Sequence, residues 1–420
     1  MRDDGGQIPG ASPRGRLTPA TRLLLALALL TSASQFHRAA LGVIGPELAA
    51  DLGAGTALLG AANGAFFLAL LLLQIPVGLA LDRIGPRLTV AALSLPAALG
   101  ALAQGLAPDA AWFLAARFLL GIGCAASFMA SVVLCARWHA GEGLTIALAR
   151  VFALSQLGIL LAGAPFAWAA GVLGWRGAYI VSAGLTLALT GLWWAWVRDD
   201  PPDRPRPIRP AETLGGALLG QLTVWRTPGL LPVLAMHLVG YAVMATVLAV
   251  WAGPYLSEVH GLAPGPRGAV LFAMGLALVF GLLGVGPLER RLNTRKWLVA
   301  GMAGGAALVL VALAAWPQPP LPVAIGLLVL LCLLSCYPVV VVAHGRSLFP
   351  DHLVGRGATT VNLAQTLGSA VLPALTGWAV AIAPAGEAWP IAFATLAAAL
   401  TLGLAGYLTG GDAPPRRLAK

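Results

Sequence analysis

The chain has 420 residues, of which 59% are hydrophobic and 10% are charged, and its mean hydropathy is +0.85. Because a soluble domain carries about 25% charged residues, this composition excludes a water-soluble globular protein and indicates that lipid is the solvent of the chain. The formal net charge of +10 does not indicate a nucleic-acid partner, since the basic residues lie in loops and tails between apolar runs.

From its N-terminus the chain passes from a polar tail into about twelve apolar runs of bilayer-spanning length, the first at about 18-46 and the last at about 389-411. The tail contains no short apolar core with a cleavage site, so we expect no cleavable signal peptide. The runs are too long for barrel strands, and only helices and closed barrels span a bilayer. The sequence therefore predicts an all-α integral membrane protein. Its predicted parts are a tail at 1-17, a six-helix bundle at 18-197, a linker at 198-226, a second six-helix bundle at 227-411 and a tail at 412-420.

Basic residues concentrate in alternate loops, on the side that also holds both tails. The loops on the other side carry chiefly Arg176 and Arg267. Since positively charged loops stay in the cytoplasm, both termini are predicted to be cytoplasmic. The location is predicted to be a bacterial inner membrane, because Lys296 and Lys420 are the only lysines among many arginines, as in high-GC bacteria.

The loop after the second run has the pattern G-x-x-x-D-R-x-G-x-R, with fixed positions at Gly78, Asp82, Arg83, Gly85 and Arg87. A small residue, an acid–base pair, a turn glycine and a second arginine rarely meet at a membrane boundary by chance. The loop resembles the signature loop of the major facilitator superfamily, which joins the second and third helices of that fold. The resemblance implies a transporter with two six-helix bundles related by pseudo-two-fold symmetry, working by alternating access.

The same resemblance assigns these five residues to a conformational latch. Asp82 is expected to face the start of the eleventh helix, near residues 355-357, where the helix dipole favours a carboxylate. Arg83 and Arg87 are expected to join that charge network. The alternative is an ordinary positively charged loop with an acid by chance.

Two matches across the linker indicate an internal repeat. Asp82-Arg83 corresponds to Glu289-Arg290 at an offset of about 207, and the Gln-Leu-Gly at 156-158 corresponds to Gln365-Thr366-Leu367-Gly368 at about 209. In transporters built from repeats, the substrate binds near the midplane where the repeats meet.

Arginines inside apolar runs are the strongest candidates for substrate contact, because a charge there costs at least a few kcal/mol unless it faces a cavity or a partner. Arg117 opens the pattern R-x-x-x-G-x-G-x-A, similar to a family motif of the fourth helix that implies substrate contact or proton coupling. Arg38 shares a helix face with Gln35, and that face is predicted to line the central cavity. For both arginines the alternative is snorkelling to the membrane interface. Arg150 fits a cavity or an interface equally well.

Other polar residues in the runs complete the predicted site. The family fold makes the seventh and eleventh helices cavity-lining, which points to Tyr241, Asn362 and Gln365, with Gln156 from the fifth helix. Hydrogen bonding between helices is the alternative for each. His37, His237 and Arg150 are candidates for coupling transport to protons. The two histidines are candidates because a histidine titrates near neutrality. A packing role is the alternative for His237.

No Asp or Glu falls near the middle of a predicted run, so the cavity offers guanidinium groups without carboxylates. Guanidinium groups suit carboxylate or phosphate recognition. We therefore expect a secondary transporter of a small organic or inorganic anion, proton-coupled and monomeric, with no enzymatic activity, cofactor or metal site.

Three alternatives stay open. The partial antiporter motif Gly163-Ala164-Pro165 favours a drug or metabolite exporter of broad specificity. A metal importer would use Met236, His237, Met244, Cys332 and Cys336. A scaffold or sensor without transport is disfavoured by the signature loop.

Overall fold

The computed structural model describes residues 18–139, 142–201, 224–349, 354–384 and 386–415. Within these ranges the chain forms twelve long helices, which we number in chain order. In the first half they are α1 (Pro19–Asp51), α2 (Ala57–Arg83), α3 (Pro86–Gly105), α4 (Ala110–Trp138), α5 (142–173) and α6 (175–196). In the second half they are α7 (Leu230–Glu258), α8 (Pro264–Leu292), α9 (Lys296–Ala315), α10 (Leu321–Ser347), α11 (Val354–Ala381) and α12 (Ala388–Leu408).

Ten stretches of the described chain are long and apolar enough to cross a membrane. One of them, Ile146–Trp196, has 51 residues and contains two helices, because Gly174 has φ +69° and ψ +163° and breaks the helical path between α5 and α6. With the 33-residue α1, the count reaches the predicted twelve. Boundaries differ from the predicted runs by a few residues. The predicted linker lies mostly outside the described residues, and the predicted domain limits stay predictions.

We call the end of the molecule where α1 begins and α12 ends the terminal face, and the opposite end the far face. Several helices are interrupted about half-way between the two faces. In α4 the break lies between Cys124 and Ser127, and in α10, its counterpart in the second half, between Leu334 and Pro338. In α7, Val247–Trp251 forms a π-helical segment, a rare element that is frequent at functional sites. The matching breaks in α4 and α10 agree with the repeat expected from the sequence.

The two bundles meet through close helix pairs on the far-face side. In α1 and α7, Gly42 and Gly253 bring the two backbones into contact. Gly60 of α2 lies against the backbone of α11 at Pro373, and Gly268 of α8 lies against α5. Small residues allow such approaches within a membrane. These contacts close the far face between the two halves.

At the terminal face, each half ties its sixth helix to its third. In the first half, Asp199, just after α6, accepts a hydrogen bond from the backbone N–H of Arg87 at 2.7 Å. The Arg87 guanidinium donates back to the carbonyl of Trp194 at 2.7 Å and lies over the Trp194 ring. A carboxylate at the N-terminus of α3 is favoured by the free N–H groups and the helix dipole.

The second half repeats this arrangement. Asp412, just after α12, accepts hydrogen bonds from the backbone N–H groups of Arg295 and Lys296 at the start of α9, and the Lys296 ammonium donates to the carbonyl of Gly410 at 2.7 Å. The pKa of the Asp412 carboxyl is lowered. Partial burial acts to raise it, but the hydrogen bonds from the Thr294 hydroxyl and the backbone N–H groups together outweigh burial.

Candidate functional site

A small cavity lies at mid-height, where the two halves meet. It is lined by Gln35, Arg38 and Ala39 of α1, Phe67 of α2, Ile159 of α5 and Tyr241, Met244, Ala245, Leu248 and Ala249 of α7. Its volume of about 20 Å³ holds about one water molecule. Three of the predicted site residues, Gln35, Arg38 and Tyr241, are therefore brought together here, from both halves.

Arg38 is the charged side chain of this cavity. Its guanidinium carbon lies 5.4 Å from the centroid of the Phe67 ring, and its buried Nε has no hydrogen-bond partner. Among the ion pairs of the described residues, none includes Arg38. Among the described side chains, the cavity thus holds a positive charge that no carboxylate compensates.

Gln156, another predicted site residue, is linked to this cavity through Gln35. The Gln35 Nε2 donates to the Gln156 Oε1 at 3.2 Å, which links α1 to α5. Gly158 allows this approach, because its Cα lies against the backbone of α1 at Ser32. Gln35 precedes Arg38 by one helical turn on α1.

The structure places Arg117 inside the first bundle, with a side chain that is 0% exposed. Its Nη1 donates to the His37 carbonyl at 2.9 Å, its Nε to the Ala62 carbonyl at 3.3 Å and its Nη2 to the Asn63 Oδ1 at 3.4 Å. The Phe66 ring lies under the guanidinium. Arg117 therefore ties α4 to α1 and α2 in this conformation, and its predicted substrate contact has no geometric support here.

Two of the coupling candidates also face away from the cavity. The His37 Nε2 lies 3.3 Å from the Thr186 Oγ1 of α6, inside the first bundle. Arg150 is exposed and lies on the same helix face as Ile146 and Leu157, which are about half exposed. That face points out of the bundle, so the interface alternative describes Arg150.

His237 lies one helical turn from Tyr241 on α7 and is 1% exposed. Gln365 of α11 is its polar neighbour, although neither ring nitrogen of His237 reaches hydrogen-bond geometry with any group. Asn362, one turn before Gln365, is half-buried on α11. These residues cluster on the terminal-face side of the cavity, and their predicted roles stay predictions.

In the signature loop, Gly85 has φ +103° and precedes Pro86, the first residue of α3, so it makes the predicted turn. Arg87 contacts Asp199 and Trp194 within its own half. A Cβ atom added at Gly78 would meet the Met129 methyl group of α4 at an ordinary van der Waals distance.

Asp82 and Arg83 are exposed at the end of α2. The side chains of residues 355 and 356 lie outside the described ones. The predicted contact between Asp82 and the start of α11 therefore stays a prediction.

Arg267 is the main feature that sequence reasoning misplaced. It was assigned to a loop but lies in the first turn of α8, 0% exposed, between the two halves. Its Nε and Nη2 donate to the Val43 carbonyl of α1 at 2.8 and 2.5 Å, and Nη2 pairs with Glu47 at 2.5 Å. Phe67 was also missed, because an aromatic residue in an apolar run resembles a packing residue.

The model of the Major Facilitator Superfamily matches residues 27–333. The chain belongs to this superfamily. It is a secondary transporter of small solutes, embedded in the membrane by many helices, and not an enzyme.

Curated relatives of this major facilitator are named for different solutes. A "Putative tartrate transporter" of Agrobacterium vitis is 24% identical over 86% of this chain and 83% of the relative. The "Probable galactarate/D-glucarate transporter GarP" of Escherichia coli (strain K12) is 30% identical over 44% of this chain and 43% of the relative. A "Quinolone resistance transporter" of Acinetobacter baumannii is 29% identical over 43% of each.

Among solved structures, a bacterial homologue of the lysosomal transporter Spinster, crystallised in an inward-facing and unoccupied conformation, superposes with a TM-score of 0.74. The sequences are 16% identical, and the alignment covers 94% of this chain and 96% of that one. At this identity the likeness shows the fold alone. It is the fold of two six-helix bundles expected from the signature loop.

Proposed function

We propose that this major facilitator transports a small organic anion, whose carboxylate is bound by Arg38 in the cavity between the two halves. The main support for this proposal is the Arg38 guanidinium, which lines the cavity and has a buried Nε without a hydrogen-bond partner. A guanidinium offers paired N–H donors that match a carboxylate. The names of the tartrate and galactarate/D-glucarate relatives support the same chemistry.

The proposal includes the orientation of the protein in the membrane and the ion that drives transport. The terminal face, which carries most of the basic loops, is proposed to face the cytoplasm of a bacterial inner membrane. Transport is proposed to be coupled to protons, carried by the substrate carboxyl or by His237 beside the cavity. A monomer contains both halves of the site, so one chain is the proposed working unit.

The test is anion uptake into proteoliposomes, with and without an imposed pH gradient. We expect Arg38→Gln to abolish uptake, whereas Arg150→Gln, which removes an arginine from the exposed face of α5, leaves uptake unchanged. Equal uptake by Arg38→Gln and the unmodified protein would contradict the proposal. Uptake that is insensitive to the pH gradient would remove the proton-coupling part alone.

A second candidate function is export of lipophilic compounds. It is favoured by the Acinetobacter baumannii relative named for quinolone resistance and by the many apolar groups in the cavity wall. Overexpression in a drug-sensitive host separates the two functions. Drug resistance that is also conferred by the Arg38→Gln variant would support the exporter. If neither the unmodified protein nor the variant confers resistance, the anion transporter is supported.

A further inference from the structure

We infer that the site binds a substrate with one carboxylate and a hydroxylated carbon chain, and that it disfavours a substrate with a carboxylate at each end. The inference rests on the proposed function, because it assumes that Arg38 holds the first carboxylate. It separates this chain from the relatives named for tartrate and for galactarate and D-glucarate, all of which have two carboxylates.

The first step is a count of the positive charges that reach the cavity. Within the part of the chain that the structure describes, Arg38 is the arginine that lines it. Arg117 is fully buried in the first bundle, where all three of its guanidinium nitrogens donate to α1 and α2. Arg150 lies on the exposed face of α5, and Arg267 is bound to Val43 and Glu47 near the far face. One guanidinium is thus available for one carboxylate.

The second step concerns the rest of the polar lining. Around Arg38 the described side chains offer amides and a phenol, namely Gln35 with its partner Gln156 and Tyr241 from the other half. An amide or a phenol both donates and accepts hydrogen bonds, so it matches a hydroxyl group, which does the same. The first half therefore supplies the charge, and the polar groups around it suit a chain of hydroxyl groups. Because the cavity of this conformation has a volume of about 20 Å³, binding of such a chain requires the two halves to move apart around it.

The third step is the cost of a second carboxylate. A buried charge without a partner is strongly disfavoured relative to a buried hydroxyl group that finds hydrogen bonds. The surrounding wall consists of Phe67, Ile159, Met244 and Leu248, which cannot compensate a charge. The same carbon chain should therefore bind at least about tenfold more weakly when its far end is oxidised to a carboxylate.

The experiment uses two probes that differ at one carbon atom. D-Galactonate and galactarate share the six-carbon chain and the hydroxyl groups on its four inner carbons, but galactonate ends in a hydroxymethyl group where galactarate has a second carboxylate. Binding to the purified full-length protein is measured by calorimetry, with hexanoate as a third probe that has one carboxylate and no hydroxyl groups. We expect galactonate to bind at least tenfold more tightly than galactarate and than hexanoate.

Three variants sharpen the test. Arg38→Gln should abolish binding of both sugar acids, and Arg38→Lys, which keeps the charge, should retain part of it. Tyr241→Phe should weaken galactonate binding and leave hexanoate binding unchanged. Gln156→Lys, which adds a second cation beside Gln35, should raise the affinity for galactarate and narrow or invert the preference.

The outcomes separate this inference from the function on which it rests. Galactarate binding as tight as that of galactonate, with both lost in Arg38→Gln, overturns the one-carboxylate inference and leaves anion transport standing. Galactarate binding that strengthens as the pH falls and is lost in His237→Gln also overturns it, because His237 would then supply a second charge. If neither sugar acid binds, and Arg38→Gln changes the binding of no anion, the proposed function itself fails.

Discussion

Removal of the Glu47 charge should open the far face of the transporter. Glu47 belongs to α1 and Arg267 to α8, so their ion pair joins the two halves. In alternating access the halves separate at this face, and the pair must break. Glu47→Gln keeps the size of the side chain and removes the charge that holds Arg267.

The size of the effect follows from the burial of the two partners. The Arg267 side chain is 1% exposed, whereas that of Glu47 is 39% exposed. Breaking a fully buried pair costs about 3–5 kcal/mol, and an exposed pair contributes about 0–1 kcal/mol. Arg267 also keeps its two bonds to the Val43 carbonyl. We therefore expect a loss of about 1–2 kcal/mol from the far-face-closed state, a shift of about 5- to 30-fold in the equilibrium between the two conformations.

The assay is a distance distribution between two spin labels on the far face. Gly55 and Gly265 suit the labels, because a side chain at either position meets open space and the two residues belong to different halves. Labels are attached after Gly55→Cys and Gly265→Cys in a protein without its four native cysteines. Glu47→Gln should move population from the shorter distance to a longer one.

A matched control exists on the same face. Asp51 pairs with Arg176, but both residues belong to the first half, so Asp51→Asn removes a comparable charge without touching the interface between the halves. It should leave the distances unchanged. The reasoning is refuted if Glu47→Gln leaves the distribution unaltered, or if Asp51→Asn shifts it equally.

Three further predictions concern stability and conformation. Gly253→Ala should push α7 away from the Gly42 carbonyl and open the far face in the same distance assay, and unchanged distances would contradict the tight contact. Asp412→Asn should lower the melting temperature at pH 7, because it removes about 0.5–2 kcal/mol of capping stabilisation. Because the pKa of Asp412 is lowered in the fold, this stabilisation is present above its ordinary value of 3.8 and is lost as the pH falls through the lowered pKa, so a deficit that persists at the lowest pH would argue against it. Arg117→Met should cost about 1–3 kcal/mol, because it removes three hydrogen bonds between helices and leaves the buried Asn63 Oδ1 without its donor, and a variant that melts like the unmodified protein would refute the packing role.

The fold could be predicted from the sequence because the bilayer fixes the length of an apolar run, and each run must be a helix to satisfy its own backbone. The break in α4 could not, since Ala125 and Ala126 have the same apolar character as their neighbours. The break in α10 does have a sequence signal, Pro338, because a proline cannot donate the backbone hydrogen bond of a helix interior. The two acids that cap α3 and α9 were also missed. Asp199 and Asp412 follow their helices in polar segments where sequence pattern alone does not indicate a distant partner.

For the site, sequence reasoning identified polar residues in apolar surroundings but not the direction in which each one points. Arg38 and Arg117 looked alike on that criterion. What separates them is the presence of acceptors: three lie around the Arg117 guanidinium, two of them backbone carbonyls that no residue pattern reveals. Arg267 was misplaced for the same reason, because the Val43 carbonyl that binds it belongs to the other half of the chain.

The two carboxylate caps at the terminal face, Asp199 on α3 and Asp412 on α9, affect how each half can move. Each one fastens the last helix of a bundle to its third, at the end where a central path to the cavity would open. Because these caps join helices of one bundle, a bound solute that displaces one helix should displace its neighbours with it. We therefore expect each half to move as a rigid body, with the movement driven by solute concentrated where the glycines of α1 and α7 are in contact.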